Sequence, residues 1–245
     1  MRGRGYAARM SEQPESSHAE DSSLANDANH ANTVAVVDLL GALSYAQLSG
    51  FGALAGDAQL APDLGAKSEV ARMAAMVFGQ FEQVRARLES LGADQVQAMA
   101  PFVDAIDSFH ERTRPSDWLE GIVKAYVGDG IARDFYAEVA QYLDAGNRSF
   151  VVELLRDGGQ ASFISTTVRT AIAADSRLGG RLALWARRIM GEALQQAQRV
   201  GVERDSLTAL LVGGERGADL AELGRMFARI TDAHTRRMEN LGLTA

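Results

Sequence analysis

Cysteine is absent from this 245-residue chain, and proline, aromatic residues and long apolar runs are scarce. The lack of cysteine excludes disulfides, zinc-thiolate sites and thiol catalysis. With only four prolines and 7% aromatic residues, beside many alanines, leucines and arginines, the composition favours helix over sheet. No segment shows the alternation of a β-strand, so we predict an all-α protein.

The net charge and the first residues indicate which partners and which cellular location to expect. A formal net charge of −7 argues against nucleic-acid binding by bulk attraction but does not exclude a local basic patch. No run approaches the roughly 18 uninterrupted apolar residues typical of a membrane span. The basic start, at Met1 or alternatively Met10, has no apolar run behind it as a secretory signal would. We expect a cytoplasmic protein that does not insert into a membrane.

The chain divides into a polar tail and one helical domain. Residues 1–32 lack apolar periodicity and are predicted to be disordered, with His18 and His30 as bystanders. A single domain is predicted over residues 33–245, and its first helix begins at Thr33, which is suited to an N-cap. Four long helices fill residues 33–174, and additional C-terminal helices follow over residues 177–242.

Each of the four long helices is predicted to place a polar side chain on its apolar face. The positions are Gln47 on the first helix, Gln80 on the second, Asp129 on the third, and Asp157 with Gln160 on the fourth. Val77 precedes Gln80 by three residues, as Asp157 precedes Gln160, so each pair shares one helix face. Carboxylate-bridged di-iron bundles distribute their ligands in this way, with one Glu from each of two helices and Glu-x-x-His from each of the other two.

Histidines and arginines elsewhere each allow two interpretations. His110 lies near the end of a connecting helix, where a cationic or hydrogen-bonding group is favoured, and a catalytic role is the alternative. The last helix carries arginines away from its apolar face: Arg225, Arg229, Arg236 and Arg237. We predict a solvated face there, with an anion or RNA contact as the alternative, and we expect His234 on the same surface.

Several motifs resemble a known family from about residue 34 to the end of the chain. They are FHERT at 109–113, SDWLEG at 116–121, KAYVGDGI at 124–131, QAQRV at 196–200 and LAELGRMF at 220–227. These stretches are similar to the MiaE-like branch of the ferritin-like superfamily. The resemblance implies a ferritin-like antiparallel four-helix bundle. It also implies descent from hydroxylases that act on a prenylated, thiomethylated adenosine of tRNA with O2 and a non-haem di-iron centre.

The same resemblance implies that most metal ligands have been replaced. Relatives in the nearest branch carry glutamate at the position of Gln47, Glu-Phe-Gly-His at 77–80 and Asp-x-Gly-His at 157–160. Of the six ligand positions, only Asp129 and Asp157 keep side chains that can bind iron, because amides are poor substitutes and valine has no donor. The remaining carboxylates are expected to accept hydrogen bonds from Gln47, Gln80 and Gln160.

We therefore predict a vestigial site with no metal or cofactor, in a non-catalytic binding or scaffold protein. Its partner would be a protein or a small apolar ligand, tRNA is suggested by resemblance alone, and a homodimer is a further expectation. The alternative is a non-haem oxygenase, a hydroxylase with one or two irons, in which Glu82 or His110 joins Asp129 and Asp157. A third interpretation takes the polar residues as ordinary members of a bundle core.

Overall fold

The computed structural model describes residues 15–156, 161–212 and 220–244. The α-helices are α1 (Glu15–Asp57), α2 (Leu64–Ser90), α3 (Gln95–Met99), α4 (Val103–Arg112), α5 (Trp118–Ala140), α6 (Ala145–Leu154), α7 (Ala161–Ala174), α8 (Arg177–Glu203), α9 (Asp205–Val212) and α10 (Leu220–Asn240). Short 3-10 turns follow α1 and α3. No strand occurs in the described ranges, and the all-α prediction is confirmed.

Helices α1, α2, α5 and α6 pack side by side as a bundle. α1 and α2 form a helical hairpin in which Gly50 faces Val77. α2 runs antiparallel to α6. Near the end of α6, Gln80 Nε2 donates to the Leu154 carbonyl oxygen at 2.8 Å. Near its start, the Arg87 guanidinium donates to Asn147 Oδ1 at 2.8 Å.

α5 runs antiparallel to α1. The start of α5 meets the end of α1, where a β-carbon placed on Gly121 would lie 3.3 Å from the carboxyl carbon of Asp57. The opposite ends of the two helices share one buried cluster that includes Leu39 and Val139. α3 and α4 carry the chain between the second and third helices of the bundle, so α2 and α5 point the same way. The C-terminal helices α8 and α10 pack against α5.

The first helix begins earlier than the sequence pattern predicts. α1 starts at Glu15, so residues 15–32 are helical and the prediction of a disordered tail is wrong for them, whereas residues 1–14 lie outside the described residues. His30, Asn32 and Thr33 are exposed. The apolar periodicity of the sequence begins only after residue 32, which is why the pattern predicts a later start.

The predicted fourth helix is two helices. α6 ends at Leu154, and α7 begins at Ala161. Asp157 and Gln160, together with the glycine pair between them, lie outside the described residues. α6 therefore ends just before a pair of glycines that would each cost roughly 1 kcal/mol in a helix interior.

Residues Asn32–Leu60 of α1 and its following turn are, by length and composition, long and apolar enough to cross a membrane. The core helix of a bundle passes the same test, and 56% of the most apolar window is buried inside this protein. Asp38 lies in that stretch and is itself buried, accepting hydrogen bonds from Arg204 and Ser206. The central position of α1 in the bundle accounts for its apolar composition.

Two aspartate side chains cap the starts of α3 and α5. The Asp94 carboxylate accepts from the Gln97 amide at 2.8 Å, and the Asp117 carboxylate accepts from the Glu120 amide at 2.9 Å. Glu120 is buried and also accepts from Arg181 of α8 at 2.7 Å. The N-terminal end of α5 is therefore tied to α8.

α1 approaches the backbone of α3 closely at Gly41. A β-carbon there would lie 2.1 Å from the carbonyl oxygen of Ala98, a backbone atom. Gly41→Ala is expected to lower the free energy of unfolding by about 2 kcal/mol or more, because overpacking outweighs alanine's better helix propensity. Urea unfolding measures this change.

The matched control lies on the same helix. Gly52 is exposed, and no atom lies within 4 Å of the β-carbon position. Gly52→Ala is expected to raise the free energy of unfolding by up to about 1 kcal/mol. Equal effects of the two substitutions would contradict the close approach at Gly41.

Candidate functional site

An apolar cavity of about 440 Å³ lies inside the helical assembly. Helices α1, α2, α4, α5, α8, α9 and α10 contribute to its wall. Most lining side chains are aliphatic or aromatic, including Leu39, Ile106, Phe135, Leu194, Leu211 and Phe227. Cavities of this size and character hold small ligands in other proteins.

α9 forms the outer part of this wall. It contributes Leu207, Thr208, Leu211 and Val212 to the cavity, yet none of its residues is buried. The helix is held at its start, where Ser206 and the preceding Arg204 donate to the buried Asp38 of α1. This part of the cavity wall is therefore a two-turn helix without a buried residue.

Three of the six predicted ligand positions border this cavity. They are Gln47, Val77 and Asp129. Gln47 is 8% exposed, which confirms that an amide interrupts the apolar face of α1. Asp157 and Gln160 lie outside the described residues, so the placement of the fourth-helix pair stays a prediction.

Gln80, unlike Gln47, Val77 and Asp129, is not one of the residues that line the cavity. Its amide nitrogen donates to the Leu154 carbonyl oxygen at the end of α6, where helix geometry leaves carbonyls without a partner in the helix. The expectation that Gln80 also hydrogen-bonds the remaining carboxylates stays a prediction, because Asp157 lies outside the described residues. Gln80 serves as a cap on a neighbouring helix.

Asp129 is half exposed, contrary to the prediction that it lies on a buried face. Its side chain is 50% exposed, and its carboxylate pairs with Arg133, one turn later on α5, at 2.7 Å. Gly128 and Gly130 flank it. Asp129 therefore borders the cavity while half of its side chain is open to solvent.

The further ligands named in the oxygenase alternative lie beside cations. The Glu82 carboxylate pairs with Arg85 at 2.6 Å, and His110 Nδ1 lies 3.2 Å from Lys124 Nζ. Among the described residues, no group of three His, Cys, Asp or Glu side chains is arranged to hold a metal ion.

A second polar group borders the cavity and comes from three separate helices. It consists of Asp57 at the end of α1, His110 on α4 and Lys124 on α5. Lys124 is only 7% exposed, and its ammonium lies 5.5 Å from the centre of the Phe109 ring. We call these three residues the Lys124 cluster.

Burial shifts the pKa of each member of the Lys124 cluster. It lowers the pKa of Lys124 to about 8, with Asp57 opposing the change. Burial and the nearby Lys124 charge lower the pKa of His110 to about 4, so its imidazole is neutral at pH 7. The pKa of the Asp57 carboxyl is raised by burial and drawn back by the charge of Lys124.

Sequence reasoning missed Lys124, although the composition contains a signal for it. Of the 25 lysines and arginines, only Lys67 and Lys124 are lysines. Lys67 is exposed and donates to Gln59, whereas Lys124 is buried against the cavity. Arginine supplies nearly all of the other positive charge in this chain. Among the described residues that line this cavity, however, the one lysine or arginine is Lys124.

His234 and Arg237 are not on the surface where they were predicted. His234 is 5% exposed, and neither ring nitrogen has a hydrogen-bond partner among the described residues. Arg237 is 12% exposed and pairs with Asp134 of α5. The Arg237 side chain approaches the backbone of α5 at Gly130. A glycine is required there, since a β-carbon would overlap the Arg237 side chain. By contrast, Arg229 is partly exposed and pairs with Glu138 and Glu222.

Comparison with known proteins agrees with the helical architecture. The family model for a ferritin-like domain of actinomycetes matches residues 30–214. The match begins within α1, ends after α9 and so includes every helix of the bundle. No protein with a curated description matches the chain. Since the family model covers well over half of the sequence, the chain belongs to the ferritin-like domain family of actinomycetes.

Proposed function

We propose that this ferritin-like protein has lost the di-iron centre of its hydroxylase relatives and binds a small apolar molecule without catalysis. The observation that carries the proposal is the apolar cavity of about 440 Å³, which borders Gln47, Val77 and Asp129, three of the six positions that the resemblance matches to metal ligands. The site of a reaction would thus have become a site of binding alone.

The donor groups at the described positions support the loss of iron. Gln47 offers a neutral amide, Val77 offers no donor, and Gln80 donates to a backbone carbonyl of α6. Ferrous ions require several carboxylates and imidazoles, and Asp129 is paired with Arg133. These side chains do not fit a di-iron centre.

The apolar wall supports a ligand of apolar character. Each methylene group that leaves water for such a cavity contributes about 0.8 kcal/mol, or roughly a fourfold gain in affinity. A ligand that fills the space between α1, α5 and α8 would gain from many such contacts, and the few polar groups would orient it.

A cavity-filling variant tests the proposal. Ala197 of α8 borders the cavity, so Ala197→Phe should weaken binding of the uncharged fluorescent dye N-phenyl-1-naphthylamine at least about tenfold. Fluorescence titration at constant protein concentration measures the dissociation constant. Far-UV circular dichroism checks that the variant is folded.

The matched control adds the same ring outside the cavity. Ala228 is exposed on α10, and Ala228→Phe should leave dye binding unchanged. Failure of the natural protein to bind the dye, or equal weakening by both substitutions, would overturn binding in this cavity.

A further inference from the structure

We propose that the cavity takes a neutral aldehyde or ketone with a long apolar chain, which Lys124 holds covalently as an imine. The chain of such a ligand would occupy the apolar volume and its carbonyl group would meet the Lys124 cluster. This deepens the proposed apolar binding function and rests on it.

The position of Lys124 is suited to a carbonyl at the wall of the cavity. The residue borders the cavity and is buried, and the contact with His110 Nδ1 is the one hydrogen bond that its ammonium makes among the described residues. An ammonium group has three donor hydrogens. Two of them are left for a ligand at this place, where apolar surroundings make an unmade hydrogen bond costly.

The charge of Asp57 favours a neutral carbonyl over a carboxylate ligand. Asp57 borders the same cavity, its charge acts on Lys124, and no described residue hydrogen-bonds its carboxylate. An anionic head group would be repelled by this carboxylate. A protonated imine is a cation, and Asp57 would balance its charge.

The identity of the amine also favours covalent chemistry. Arginine, the residue that supplies nearly all other positive charge in this chain, stays protonated and cannot attack a carbonyl. A lysine desolvated in an apolar pocket gives up its proton more readily and is the usual amine for imine formation. At pH 7 a pKa of about 8 leaves roughly a tenth of the amine unprotonated, against about one part in three thousand at the ordinary pKa.

The bond changes balance without an added oxidant or reductant. The neutral amine of Lys124 attacks the carbonyl carbon, the carbonyl oxygen takes a proton, and a carbinolamine forms. Loss of water from the carbinolamine gives the imine. His110, neutral and in contact with Lys124 Nζ, can accept the proton that leaves the nitrogen. Hydrolysis reverses the sequence and releases the ligand.

Reductive trapping tests the imine in the full-length protein. Decanal with sodium cyanoborohydride at pH 7 should convert Lys124 to its secondary amine, which peptide mapping by mass spectrometry assigns to a residue. We expect Lys124 to be modified at least about tenfold faster than Lys67, and an excess of 1-decanol to slow only the Lys124 reaction. The chain's terminal amine is separated by the same mapping.

Two variants complete the experiment. Lys124→Arg keeps a cation at the position but cannot form an imine, so the fast modification should disappear. Lys67→Arg should leave the rate at Lys124 unchanged, because Lys67 is exposed on α2 and lies away from the cavity. The comparison of the two lysines in the natural protein needs no variant and remains valid if Lys124→Arg fails to fold.

The possible results separate this proposal from the one on which it rests. Dye binding with no preference of decanal for Lys124 would overturn the imine and leave apolar binding in place. Absence of both dye binding and preferred modification would overturn both proposals. Preferred modification of Lys124 that 1-decanol slows would support both.

Discussion

The quadruple variant Gln47→Glu, Val77→Glu, Gln80→His and Gln160→His is expected to bind two ferrous ions per chain, whereas the natural protein is expected to bind none. With Asp129 and Asp157 it would present four carboxylates and two imidazoles, the donor set of a carboxylate-bridged di-iron bundle. Those carboxylates neutralise the charge of two divalent ions, which the natural set of two cannot do. Metal analysis after anaerobic loading and desalting measures the stoichiometry.

The same variant should be less stable than the natural protein when no metal is present. Gln47 is buried, and a carboxylate at a buried position without a partner costs several kcal/mol. Thermal unfolding should therefore show a lower Tm for the metal-free variant and a rise on addition of Fe(II), with no rise for the natural protein. A control variant with Gln47→Glu and Val77→Glu alone lacks the two imidazoles. Its Tm should rise less on addition of Fe(II). A folded quadruple variant that binds no iron would contradict the assignment of these positions.

Acid is expected to destabilise the protein strongly through two histidines, the half-buried His110 and the buried His234. Burial lowers the pKa of His110 and of His234 to about 4, with Lys124 and Arg237 adding to the effect and Asp107 and Asp134 opposing it. The unfolded chain takes up these protons first, near its ordinary pKa of about 6.5. The contribution of the two neutral histidines to the free energy of unfolding is therefore fully present above about pH 6.5. It falls as the pH drops toward 4 and changes no further below pH 4.

The expected size is about 3 kcal/mol for each histidine, because one pKa unit corresponds to roughly 1.4 kcal/mol. Urea unfolding of the natural protein at pH 7 and at pH 4 measures the total loss. His110→Gln or His234→Gln should each remove about half of the histidine part of the pH dependence, and His30→Gln should remove none because His30 is exposed. An unchanged pH dependence in both buried-histidine variants would contradict their burial as neutral groups.

The fold could be predicted from the sequence where helix ends carry local signals. Asp94 and Asp117, which are of a residue type that favours caps, cap α3 and α5, and the C-terminal helices predicted from residue 177 begin there with α8 (Arg177–Glu203). The start of α1 could not be found in this way. Residues 15–32 are helical without an apolar face, and periodicity detects only helices that bury one side.

The candidate site was predicted in part, for a related reason. Spacing on single helices indicated Gln47 and Val77, and both border the cavity. Spacing cannot show which way a polar side chain turns, so it did not indicate that Gln80 donates to the Leu154 carbonyl oxygen or that Asp129 pairs with Arg133.

The Lys124 cluster is a different case, because its members come from three helices and are separated by many residues in the chain. Asp57, His110 and Lys124 come together only through the packing of α1, α4 and α5. His234 was missed because its charged neighbours in sequence suggested an exposed face, while the helix turns the imidazole inward. Tertiary contacts of this kind leave no periodic signal.

The iron content of the natural protein tests the central claim most directly. Protein purified without oxygen, loaded with Fe(II) and desalted is analysed for metal bound per chain. Loss of the di-iron centre predicts no tightly held iron after desalting, while the uncharged dye still binds in the cavity. Two tightly held irons per chain would contradict the account and favour an oxygen-dependent hydroxylase.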